Sequence, residues 1–130
     1  MSTHDQLRAL LQRYARAADQ RDMETLAELF HPDAVITGAR GAQTLPEWMA
    51  AMRAPRAFPA SMHMIGEPLV AHEEGTDVAT MDAYAVVYQL SDPATEQANL
   101  TMGVEYHDEV VLEGSHWLFL RRTMTTRWIA

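Results

Sequence analysis

Leu7, Leu10, Leu11, Tyr14, Ala17 and Ala18 recur at intervals of three and four, with Arg8, Gln12 and Arg16 opposite them. That is the period of an amphipathic helix, predicted here over residues 4 to 20. A second, short helix is expected from Met23 to Phe30, capped by Asp22 and stopped by Pro32. Val35 to Thr37 then reads as a strand. Thr44-Leu-Pro-Glu47 carries a capping box with proline in the first turn, and Trp48, Met49 and Met52 give the helix that follows an apolar side ending before Pro55. Arg53 to Pro59 suits either a loop over a cavity mouth or an ordinary surface connection.

After Ser61 the helical period disappears. Ser61 to Ala71, Thr76 to Leu90, Ala98 to Leu112 and His116 to Ile129 are rich in β-formers and separated by Glu-Glu-Gly, Ser-Asp-Pro and Glu-Gly-Ser turns. Four strands joined by short turns predict an antiparallel meander. Helices first and strands afterwards give an α+β plan, with the helices on one face of the sheet. Strands of this length bend or bulge, which breaks side-chain parity along them.

The 130 residues suffice for one domain, 1–130, with its own core. The absence of cysteine excludes thiol nucleophiles, thiolate metal sites and disulfides. All ten basic residues are arginine, so no amine is present for a Schiff base or a phosphate-loop lysine. A cytoplasmic location is expected, with no leader or long apolar run. A net charge of -8, with the arginines scattered along the chain, disfavours nucleic acid and anionic membranes as partners.

An Asp-His pair is chemically useful because the carboxylate fixes the imidazole tautomer and raises its basicity. On a wheel of about 100° per residue Asp19 lies roughly 120° from Leu7, on the flank of the apolar face, so periodicity alone makes it a solvated residue or a cap. His63, between Met62 and Met64, reads by itself as a core histidine. No histidine or carboxylate pair has metal-ligand spacing, and no metal is expected.

Several motifs appear in a telling order: Tyr14, Asp19 and Asp22 at a helix exit; Leu29-Phe-x-x-Asp-Ala34; His63-x-x-Gly66; Gly103, Tyr106 and Asp108; and Trp117 with Arg121-Arg122. Together they resemble the SnoaL-like branch of the nuclear transport factor two-like superfamily. The resemblance implies a cone-shaped, cystatin-like α+β fold, with N-terminal helices closing a curved antiparallel sheet around an apolar cavity. It also implies a small-molecule ligand, no cofactor and a homodimer paired through the sheet. The family includes cofactor-free dehydratases, polyketide cyclases, isomerases and epoxide hydrolases, as well as members that only bind or assemble.

Within it, scytalone dehydratases align with Asp19 and His63 at the positions of their paired acid and histidine. Their other site groups are replaced here: two tyrosines by Ala18 and Gly38, a second histidine by Tyr88, and a serine and an asparagine near Gly103 and Glu105. The resemblance thus implies catalytic Asp19 and His63, with Tyr14, Trp48, Met52, Tyr88 and Glu105 around the substrate. Tyr88 there would donate a hydrogen bond without accepting a proton near neutral pH. Glu105 is either a second acid or base or turned outward by a bulge. Met62, Met64 and Phe58 are further walls or plain core. The expected function is cofactor-free acid/base chemistry on a small cyclic or aromatic molecule by a dehydratase, cyclase or isomerase. The alternatives are a non-catalytic binding or assembly module of the same fold and a subunit like the β chain of ring-hydroxylating dioxygenases.

Overall fold

The computed structural model describes residues 1–130. Helix α1 runs from Thr3 to Gln20, started by a capping box between Ser2 and Asp5. It ends because Arg21 turns left-handed at φ 55°, sending its N–H back to the carbonyls of Ala17 and Ala18. Asp22 caps α2, Met23–Glu28, by accepting from the Thr25 N–H. The predicted second helix therefore stops two residues early. Phe30 belongs instead to strand β1, Phe30–Gly38, whose pairing is irregular between Phe30 and Val35, around Pro32. Gly41, at φ 81°, turns the chain into β2, Gly41–Thr44, which the sequence reading lacks. The Thr44–Glu47 capping box then opens α3, Leu45–Arg53, as expected.

The predicted strand 61–71 is two strands, β3, Ala60–Ile65, and β4, Leu69–Ala71, both antiparallel to β5, Val78–Leu90. Gly66 and Pro68 make the break. Strands β6, Leu100–Glu113, and β7, His116–Ile129, complete one sheet in the order β2-β1-β7-β6-β5-β3. The last three strands pair as the predicted meander. β1, however, lies parallel to β7, so the sheet is mixed and open, not antiparallel and closed. Hydrophobic alternation marks a strand's buried face but carries no information about the direction of its neighbour.

The concave face takes the helices. Leu7, Leu10, Leu11, Tyr14, Ala17 and Ala18 of α1 are buried against alternate residues of the sheet. Ala79, Met81, Ala83, Ala85 and Val87 set the inward parity of β5, and Met102, Val104, Tyr106, Asp108 and Val110 that of β6. At one end of this core, Phe30, Trp48, Phe119, Tyr14 and Tyr106 form a chain of ring contacts at 5.0 to 6.5 Å.

Candidate functional site

Beside that aromatic cluster a cavity of about 210 Å³ remains between the sheet, α1 and α3. Tyr14 and Ala18 reach it from α1, Trp48 and Met52 from α3, and Ser61 and His63 from β3. Val87, Gln89, Val104, Tyr106 and Met124 line its sheet side.

Asp19 stands behind His63, brought there by the last turn of α1. Its Oδ1 lies 2.6 Å from His63 Nδ1 and accepts from Ser61 Oγ at 2.9 Å, while Oδ2 accepts from the His63 backbone N–H at 2.9 Å. Three contacts orient the carboxylate and tie the helix end to the strand. A carboxylate can only accept, so Nδ1 carries the proton of the neutral ring and Nε2 is left as the free base. The Tyr14 ring meets the imidazole edge-on at 5.9 Å and holds its tilt. The His63 side chain is only 12 % exposed, and burial pulls its pKa below 6.5 although the Asp19 hydrogen bond and charge push the other way.

Burial thus outweighs the pairing that was expected to raise His63's basicity, and the ring is neutral at pH 7. An NMR titration of His63 is expected to show a midpoint below 6.5 and a still lower one in Asp19→Asn, where the raising contribution is gone. A midpoint unmoved by the substitution would uncouple the two residues. The linked stability has a definite sign: a depressed folded pKa gives a contribution complete above pH 6.5, the unfolded value, and lost as pH falls through the folded one.

Below Tyr14 lies an ion pair that the sequence reading noted only as motif residues. Asp108 and Arg122 face each other across β6 and β7, with Oδ1 and Nε 2.9 Å apart and both side chains at most 1 % exposed. The contact is a close pair of charges and not a well-formed hydrogen bond. The guanidinium is instead enclosed by rings, 3.8 Å from the centre of Tyr106, 4.1 Å from Tyr14 and 4.5 Å from Phe119. Burial lifts Asp108 to about 6 against the opposing pull of Arg122. Burial also raises the pKa of Tyr14 and Tyr106, which keeps both phenols protonated as donors at the cavity floor.

Two expected substrate residues lie elsewhere. Tyr88 follows the inward Val87 and therefore points to the convex face, opposite Met62. Glu105, between the inward Val104 and Tyr106, also points outward and accepts from Arg127 at 3.3 Å. Met62 and Met64 are about half exposed on that outer face, at 49 % and 57 %. Phe58 lines a cleft beside the cavity. Strand parity is the physical reason for Tyr88, Glu105, Met62 and Met64, whereas Phe58 sits in the loop before β3. Tyr106, Ser61 and Gln89 take the polar places in the cavity, and their parity with Val104, His63 and Val87 was the available signal. No three His, Asp or Glu side chains come together as a metal site.

The family model for a SnoaL-like domain matches residues 1–123. The chain belongs to the SnoaL-like family. A comparison with curated proteins gives no match. Among solved structures, the SnoaL-like chain is similar to a scytalone dehydratase-like protein from Novosphingobium aromaticivorans, with TM-score 0.87 and 19 % identity over 97 % of this chain and 85 % of that one. It is also similar to a protein from Kribbella flavida, with TM-score 0.85 and 21 % identity over 97 % and 91 % of the two chains. A hexachlorocyclohexane dehydrochlorinase gives TM-score 0.84 and 12 % identity over 97 % and 86 %. At these identities the likenesses establish the nuclear transport factor two-like, cystatin-like fold. No helix of this SnoaL-like chain is long and apolar enough to cross a membrane.

Proposed function

We propose that this SnoaL-like protein is a cofactor-free acid/base enzyme acting on a small cyclic or aromatic molecule, as a dehydratase, cyclase or isomerase. The observation that carries the reading is His63, neutral and held by Asp19 through Nδ1, on the wall of a cavity lined by both apolar and polar side chains. In this reading Nε2 takes a proton from carbon next to a carbonyl and returns it to the leaving hydroxyl or to a second carbon. The Tyr14 and Tyr106 hydroxyls hold the carbonyl oxygen as charge develops on it. The dehydratase and dehydrochlorinase likenesses support this class, since both names denote eliminations.

The test is deuterium exchange. Wild-type protein in D₂O, given a panel of cyclic ketones and hydroxyketones that raise its melting temperature, is expected to exchange the carbon-bound proton of at least one, followed by proton NMR. Ligands that bind without exchange or conversion would support the non-catalytic module instead.

We also propose a homodimer through the convex face of the sheet, where Met62, Met64, Tyr84 and Trp128 are 47 to 67 % exposed. Light scattering should give twice the 14.6 kDa chain mass, and Met64→Lys should give the monomer.

A further inference from the structure

Although the arginines are dispersed in sequence, the fold gathers four of the ten at the mouth of the cavity. Arg40, at the β1–β2 turn, and Arg56, in the loop after α3, line the cavity itself. Arg21, Arg53 and Arg56 line an adjoining cleft of about 340 Å³ that shares Met52 with it. No Asp or Glu lines either hollow.

None of the four arginines has an ion-pair partner, whereas Arg8, Arg121, Arg122 and Arg127 each do. Arg21 donates to the Phe58 carbonyl at 3.0 Å, a contact that positions it without neutralising it. In a chain of net charge -8, four of the six arginines without an ion-pair partner are therefore gathered here, Arg13 and Arg16 of α1 being the other two. Partial burial, and next the charges of Arg21 and Arg40, oppose the charge on Arg56. An anion at the mouth relieves that repulsion. Deeper in, Gln89 Oε1 is a buried acceptor on the cavity wall with no partner from the protein.

We propose that the ligand is a ring-bearing carboxylic acid, bound as the anion. Arg56 and Arg40 hold the carboxylate at the mouth while the ring enters the cavity toward His63. A planar guanidinium matches a carboxylate with two parallel hydrogen bonds, which gives orientation as well as charge. The identity of the anchor stands on the arginines alone; that the anchored ring is then deprotonated rests on the acid/base reading above.

Benzoate, cyclohexanecarboxylate, their neutral amides and phenyl phosphate are titrated into the full-length protein, read through Trp48 fluorescence and the His63 ring signals. The acids are expected to bind at least about tenfold more tightly than the amides, the scale of one charge-assisted contact, and more weakly as salt rises. Arg56→Gln and Arg40→Gln should each remove most of that preference while leaving the amides unchanged; both residues are exposed, so neither substitution disturbs the core. Equal affinity for acid and amide, tighter binding of phenyl phosphate, or no binding of any probe at millimolar concentration would overturn the proposal. His63→Gln should leave acid binding intact. Acids that bind but never exchange would remove the acid/base reading and leave the anion site standing; exchange of neutral ketones with no acid preference would do the reverse.

Discussion

Replacing His63 by glutamine is expected to lower turnover by about 10²- to 10⁴-fold, the range for loss of a positioned general base. Glutamine cannot carry a proton, yet it leaves Asp19 well supplied. The backbone N–H of residue 63 and Ser61 Oγ still donate to the carboxylate, so one of three contacts is lost and the fold should hold. Asp19→Asn acts differently. Its amide group must face one of three donors, which costs some stability, and the ring loses the acceptor that keeps the proton on Nδ1. Turnover should fall in a comparable range, with the acid limb of the pH profile moving lower. That limb lies below pH 6.5 in the wild type because the base must be neutral and burial already favours the neutral ring. Steady-state rates with a substrate found by exchange, together with melting temperatures, check both variants. Loss of several kcal/mol in His63→Gln with unchanged rates per folded molecule would make the pair structural.

How much of this was legible in the chain depends on what kind of interaction sets each feature. The buried face of α1, both ends of α3 and the last three strands follow from periods, caps and turns, all local quantities. The parallel pairing of β1 with β7 joins segments some 85 residues apart and left no local mark. Nor did β2, four residues long and mostly exposed. The pairing of Asp19 with His63 came from the family resemblance, since periodicity alone made Asp19 a solvated residue or a cap, whereas Tyr14, Trp48 and Met52 lie on the apolar sides of α1 and α3 that the period marks. Tyr88 and Glu105 were misplaced by aligning long strands to a template position by position. Alternation already pointed them outward, Tyr88 by the inward Ala83, Ala85 and Val87 of β5 and Glu105 by the inward Val104 and Tyr106 of β6. Arg40 and Arg56 sit in turns without periodicity, so only the fold shows that they line one cavity.

The other large effect concerns the charges beneath the site. Arg122→Met should destabilise the protein by about 3–5 kcal/mol, because it leaves Asp108 buried without its counter-ion. Asp108→Asn, which mimics the protonated acid that burial favours, should cost much less, and the aromatic rings around Arg122 still face its charge. The double variant Asp108→Leu/Arg122→Met removes both charges, fills similar volume and should regain most or all of the loss. Urea denaturation at pH 7 measures all four corners of this cycle. The pH dependence gives an independent sign. Asp108 is raised to about 6 in the folded state from 3.8, so this group's contribution is fully present below pH 3.8 and lost as pH rises through 6. The wild-type-minus-Asp108→Asn difference in stability should therefore change across that window and be flat above it. A difference flat throughout would mean that Asp108 titrates alike folded and unfolded, and that its burial carries no electrostatic cost. The consequence for the site is direct. Arg122 stacks on Tyr14 and Tyr106, so variants that release it should also loosen the two phenols at the cavity floor, and ligand affinity should fall with stability in the single variants.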